Sequence, residues 1–433
     1  MFTDSTFSLL LDPYRFISRK CRDQDADLFQ TRLLLKKTVC MTGRDAAEQF
    51  YDPRHFTRTG AAPEPILATL FGKGGVQGLD GKAHRNRKQM FISVMTPENI
   101  DQLAKLTANW WNAYLERWVL TESVVLYDEL QEILTGAVCT WAGVRLKGGE
   151  LSRRAKELTA MFDSAAEIGP GHLQARLARR RAENWIGNMV ETIRSSGDDS
   201  EVKSPLEVVA WHRDLNGELL SPRIAAVEVL NLLRPTVAIS VFIVFAAHAL
   251  NIHHESREKL YARENGYDEL FVQEVRRLYP FFPLFRALVR EGFEWEEYRF
   301  AKGMPVILDL YGTNNDPREW DSPNEFRPER FHNRDEDAFG FIPQGGGNHH
   351  VHHRCPGEWI TIALMKVALE FLVFRMSYDV PKQDLSINWR QLPAIPKSRF
   401  VICNIKRPVL EPSAGETAAV ITKRAVGSSG GSR

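Results

Sequence analysis

Apolar residues recur at helical spacing over long stretches of the chain, residues 97–119, 123–142, 171–196, 222–251, 266–279 and 357–377, as in helices that turn one face to a core. Strand-like stretches are short and few, around residues 33–41, 287–290 and 400–405. The pattern predicts a mainly α fold with small β-sheets beside a helical bundle. No linker-like composition interrupts residues 1–409, which are expected to form a single catalytic domain. Residues 410–433 lack aromatics and finish in Gly-Ser-Ser-Gly-Gly-Ser, the composition of a flexible C-terminal tail.

The most apolar run, Val237 to Leu250, is shorter than the roughly 20 residues of a bilayer span. With Arg234 and Pro235 just upstream, it reads as a buried core helix and not as a membrane span. Met1 to Leu11 carries no basic residue, unlike a secretory signal, so a cytoplasmic location is expected. A net charge of +1 over 433 residues gives no electrostatic case for nucleic acid as a partner. Five scattered cysteines, an odd number with no export signal, argue against a disulfide framework.

One of them, Cys355, has unusual surroundings. The segment Phe341-Ile-Pro-Gln-Gly-Gly-Gly-Asn-His-His-Val-His-His-Arg-Cys355-Pro-Gly-Glu joins a glycine-rich loop to a cysteine and to a proline suited to begin a helix. A cysteine at that positive helix end is favoured as thiolate, the ligand that pushes electron density onto heme iron. Two other readings stay open on this segment alone. It is also compatible with a surface turn, or with a zinc or nickel site built from His349, His350, His352 and His353, although adjacent histidines are poorly spaced for a tetrahedral site.

Two further segments bear on the choice. Glu274 and Arg277 stand three apart on a predicted helix, on one face. Downstream runs Asn315-Asp-Pro-Arg-Glu-Trp-Asp-Ser-Pro-Asn-Glu-Phe-Arg-Pro-Glu-Arg-Phe331, extended and punctuated by proline. Together the Glu-x-x-Arg pair, the proline-rich segment and the cysteine loop resemble the C-terminal hallmarks of cytochromes P-450. That resemblance implies the cytochrome P-450 fold, heme b as cofactor and Cys355 as the ligand of its iron. It also implies that Glu274 and Arg277 pair with Arg330 to lock the heme-binding core. The cysteine loop is longer than the common family form.

The predicted central helix, Pro222 to Leu250, has no glycine or aspartate, and its only threonine is Thr236. It lacks the acid–alcohol pair that oxygen-using members carry, and holds Asn231-Leu-Leu-Arg234-Pro235 instead. An arginine in so apolar a setting snorkels outward, pairs with an internal carboxylate or awaits an anion. An Arg-Pro pair here is similar to the fatty-acid peroxygenase branch, whose likeness covers about Thr31 to Arg407. The resemblance then implies hydroxylation of long-chain fatty acids at the α or β carbon, driven by hydrogen peroxide as co-substrate through a heme-thiolate ferryl intermediate and without a redox partner.

In that branch Arg234 binds the substrate carboxylate and acts in catalysis, with Pro235 beside it. Gln77 stands where members that mainly form terminal alkenes often have histidine, which favours hydroxylation over decarboxylation. Phe71, Phe281, Phe282 and Pro283 are candidates for the acyl site, each equally readable as core packing. His84 and Lys88, four apart, and Arg58 are candidates for the heme propionates, and His352 replaces a small residue of several relatives. Peroxide-dependent decarboxylation, a conventional monooxygenase and a heme sensor or carrier are the competing functions.

Overall fold

The stretch that is apolar on nearly every side, Pro222–Ile252, forms one 31-residue helix. The Ser221 hydroxyl caps it by accepting from the Ile224 N–H, and Pro222 occupies the first turn. It continues through Pro235, which has no N–H to donate. Although long and apolar enough to cross a membrane, the helix is almost wholly buried inside the protein, as expected of a core element.

Helices Leu126–Ala142, Leu151–Asp163, Pro170–Ser195 and Glu358–Glu370 pack against it. Helix Pro97–Trp118 packs in turn on Leu126–Ala142, where a Cβ on Gly136 would lie 2.4 Å from the Trp110 ring. Only glycine lets the two come so close. The structure, a computed structural model, describes residues 4–165, 167, 169–197, 204–334 and 337–408. The expected tail at 410–433 lies outside these residues.

Beside the bundle lies a five-stranded sheet in the order Leu28–Leu33, Lys36–Met41, Pro305–Asp309, Leu284–Val289, Phe56–Thr57. Its outer strand, pairing Phe56 with Val289, delivers Arg58 to the edge of the site. A second sheet places Val401–Lys406 between Ser123–Val125 and Ser377–Asp379.

Tertiary pairing moved several predicted boundaries. Residues 123–125, taken as helix, are a β-branched strand pairing with Val401–Cys403. The single strand expected at 33–41 is half of a hairpin that turns at Leu34 and Leu35, both at positive φ, a conformation leucine rarely adopts. Helix 357–377 ends at Glu370, followed by a π-helical turn, Phe371–Arg375.

Candidate active site

The cysteine loop is held from four sides. Gly347 has φ +82°, and a Cβ there would lie 2.2 Å from His352 Nδ1, so only glycine fits. The His352 ring closes the turn by accepting from the Asn348 N–H at 2.9 Å. Lys88 donates from Nζ to the carbonyls of His352, at 3.0 Å, and Arg354. The Cys355 N–H donates to the Gln344 carbonyl at 3.0 Å.

Glu358 is the hub beneath the loop. It takes Arg354 Nε at 2.7 Å, His349 Nε2 at 2.9 Å and the guanidinium of Arg276. Burial pushes its carboxyl up, but Arg276, His349 and Arg354 together hold it far below its ordinary value. Neither Arg276 nor Glu358 stands out in the sequence, because they meet only when the loop folds over the helix Tyr267–Leu278.

The helix after Cys355 begins at Glu358, not at Pro356 as expected. The cysteine therefore sits off its end. Burial raises the Cys355 thiol, while the Gly357 N–H, Lys88 and Arg276 pull it down. Metal coordination deprotonates such a thiol outright. The four histidines form no cluster: His349 serves Glu358, His352 serves Asn348, and His353 stacks on His84 at 3.9 Å. Among the described residues no three His, Cys, Asp or Glu groups converge as a metal-binding set.

Behind the loop, Glu274 and Arg277 form a fully buried bidentate pair at 2.7 and 2.8 Å. Arg330 joins it through Nε, 3.2 Å from Glu274. The Arg277 Nη1 also donates to the carbonyls of Asn314 and Pro323. Every charge in this group has an opposite charge or a carbonyl to meet.

Across the molecule Arg234 has neither among the described residues. It is 5% exposed, its Nε is buried without a partner, and no carboxylate pairs with it among the described residues. Burial, with the nearby charge of Arg179, pushes the guanidinium down to about 9, and Cys355 pulls it back. It remains charged at neutral pH.

Helical hallmarks, cysteine loop and lock occur together here as a unit. The family model for cytochrome P450 matches residues 266–403, and the fold superposes on solved P450s over nearly its whole length. Cytochrome P450SP alpha is 54% identical, with 94% of this chain and 99% of that one covered and a TM-score of 0.91. This chain is a cytochrome P450. Cytochrome P450EX alpha, solved with myristic acid, is 44% identical over 93% of this P450 and 97% of that chain, with a TM-score of 0.89. OleT, solved in complex with arachidonic acid, is 35% identical over 94% and 98%, with a TM-score of 0.91. These neighbours place the P450 in the fatty-acid peroxygenase branch. Among curated relatives, a tabersonine/lochnericine 19-hydroxylase of Catharanthus roseus is 32% identical over 135 residues, 30% of this P450 and 25% of that protein. The chain thus spans about a quarter of that relative's length.

The family implies heme, and the residues present fit it. Arg58 stacks on Phe50 at 4.1 Å and is pushed down to about 10 by burial, yet its Nη1 is buried with no partner among the described residues. Beside it a cavity of about 60 Å³ is lined by Tyr51, Asp80, His84, His352 and His353, room for a carboxylate-sized group. An orphaned cation edging a carboxylate-sized space, with a buried sulfur in the same region, suits a propionate-bearing, sulfur-ligated macrocycle. Burial pushes His84 down to about 4, leaving it neutral at pH 7. It shares helix Gly81–Ser93 with Lys88, whose amine is committed to the loop carbonyls.

The structure brings Gln77 to the central helix, where its Oε1 accepts from Asn231 Nδ2 at 3.2 Å. Phe71 ends a π-helical turn, Leu67–Phe71, whose last carbonyls accept from Arg179. Phe281 packs on Phe242 of the central helix at 4.5 Å and on Phe282 at 4.6 Å. Its carbonyl accepts from the buried Tyr14 hydroxyl. Pro283 is buried, and its carbonyl takes the Leu310 N–H at 2.8 Å. Tyr14, Arg179 and Glu228 were missed from sequence, since none belongs to a recognisable motif.

Proposed function

We propose that this P450 hydroxylates long-chain fatty acids at the α or β carbon with hydrogen peroxide, and that Arg234 binds the substrate carboxylate. The observation that carries the reading is Arg234 on the central helix, its Nε buried without a partner and no carboxylate paired with it among the described residues. A buried cation without an anion is costly, and a carboxylate is the planar partner whose oxygens match its donors. Myristic acid in P450EX alpha, arachidonic acid in OleT and ibuprofen in P450SP alpha all carry that group, which supports the assignment.

Heme held by Cys355, with Arg58 and His84 toward its propionates, would supply the peroxide-driven oxidising power. The protein's own residues do the rest. Arg234 and Pro235 fix the head of the acid, and a carboxylate held there can take a proton from peroxide and return it to the oxygen that leaves as water. Fatty acid and peroxide give hydroxy acid and water, so electrons from a redox partner are not required. A head pinned beside the reacting centre leaves only the first carbons of the chain within reach. Gln77, unlike an imidazolium, has no proton to give, which favours the hydroxy acid over the alkene.

Arg234→Ala should lower tetradecanoic acid oxidation by about a thousandfold or more and leave the absorption spectrum of the bound heme intact. Undiminished product in mass spectrometry would refute the assignment.

A further inference from the structure

One turn before Arg234, the central helix holds an asparagine bound to a buried ion pair. Arg87 Nη1 lies 2.6 Å from Glu228 Oε1, Asn231 Nδ2 donates to Glu228 Oε2 at 2.9 Å, and the same Nδ2 reaches Gln77 Oε1 at 3.2 Å. Glu228 is 0% exposed. Binding a fatty acid at Arg234 assigns no part to Glu228 or Arg87.

The chemistry of the three side chains fixes their orientation. Arg87 donates to Glu228 Oε1 and Asn231 to Oε2, so both of its oxygens are acceptors. Asn231 must therefore turn its nitrogen toward Glu228. That nitrogen also faces Gln77, which must answer with its oxygen. The arrangement leaves Asn231 Oδ1 buried without a partner among the described residues, a loss that amide rotation would relieve if Glu228 allowed it. Asn231 and Arg234, three apart, lie on neighbouring positions of one helix face.

We propose that the Arg87–Glu228 pair sets the polarity of the substrate site: through Asn231 it obliges Gln77 to present its N–H end, not its carbonyl, to the carboxylate held by Arg234. Glu228 is thereby a positioning residue. The inference rests on the fatty-acid reading above.

Glu228→Gln tests it with almost no change of shape. Arg87 keeps the remaining oxygen, the new amide nitrogen faces Asn231, and both downstream amides turn over, aiming the Gln77 oxygen at the substrate. By calorimetric titration of the heme-loaded enzyme, the Kd for tetradecanoate should rise about tenfold. Asn231→Ala, which leaves Gln77 free to choose its donor end, should lose less, about threefold. In a Gln77→Leu background the Glu228→Gln effect should vanish.

A Glu228→Gln enzyme that binds within twofold of wild type overturns the inference, and so does an equal penalty with Gln77 absent, which marks a packing role only. Should Glu228→Gln not fold, an Asn231→Ala enzyme with unchanged affinity overturns it. A wild-type enzyme that does not bind tetradecanoate brings down the fatty-acid reading first and this inference with it, whereas failure of the inference alone leaves wild-type binding intact.

Discussion

Arg277 and Arg234 are both buried, in two regions of this P450 that treat a buried arginine in opposite ways. Behind the cysteine loop Arg277 is fully enclosed and meets Glu274 twice, with backbone carbonyls taking its spare donors. On the central helix Arg234 is nearly as enclosed and meets no carboxylate among the described residues. The first arrangement is complete within the chain, so its purpose is to hold elements together. The second has no such counter-charge among the described residues, and in the proposed function a substrate carboxylate completes it. Burial alone therefore does not separate structural from functional arginines, but the presence of a built-in counter-charge does.

The sharpest way to break this comparison is to remove each partner in turn. Glu274→Ala leaves Arg277 and Arg330 without their carboxylate and should cost about 3–5 kcal/mol. A large fall in the urea midpoint, with loss of bound heme, is the expected outcome. Arg234→Leu should act with the opposite sign. Deleting an unpaired buried cation should raise the stability of the substrate-free protein by about 2 kcal/mol. Saturating tetradecanoate, at about a hundred times its Kd, should stabilise wild type by roughly 2.7 kcal/mol and the variant not at all. If Arg234→Leu melted as early as Glu274→Ala, the two arginines would be of one kind.

The same contrast explains how much was legible in the sequence. The Glu274–Arg277–Arg330 lock could be read because its residues sit at fixed spacings along short segments, and the fold closed them as expected. Cys355 drew attention for the same reason, standing at a fixed place after a glycine-rich loop. Arg234 stood out because an arginine interrupts an apolar helix, but its lack of a partner is a three-dimensional fact. Glu228 lies in the same helix and went unnoticed, since a carboxylate's partner, here Arg87, is distant in sequence. Helix Leu151–Asp163 was also missed, its polar face breaking the apolar rhythm. The strand at 123–125 was hidden because its pairing partner is the far end of the chain.

Asp163 supplies the smallest and most discriminating test, because it is a half-buried charge of the opposite sign with a different way out. Its carboxylate accepts from the Tyr127 hydroxyl at 2.7 Å, and burial raises it from 3.8 to about 6, partly offset by that bond and by the charge of Arg399. Below about pH 4 the group is protonated whether the chain is folded or not, and the native state keeps the full benefit of its higher affinity for the proton. As pH rises through 6 that benefit is lost, so at pH 7 the ionised group weighs on the fold. Asp163→Asn preserves an acceptor for Tyr127 and removes the titration. It should stabilise the protein at pH 7 by about 1–2 kcal/mol, seen as a higher melting temperature, with the gain disappearing as pH falls toward 4. A gain that persists at pH 4 would trace to packing instead of charge. A carboxyl can shed its burden by taking a proton. A guanidinium has no comparable exit near neutral pH, and in the proposed function Arg234 finds its relief in a bound carboxylate.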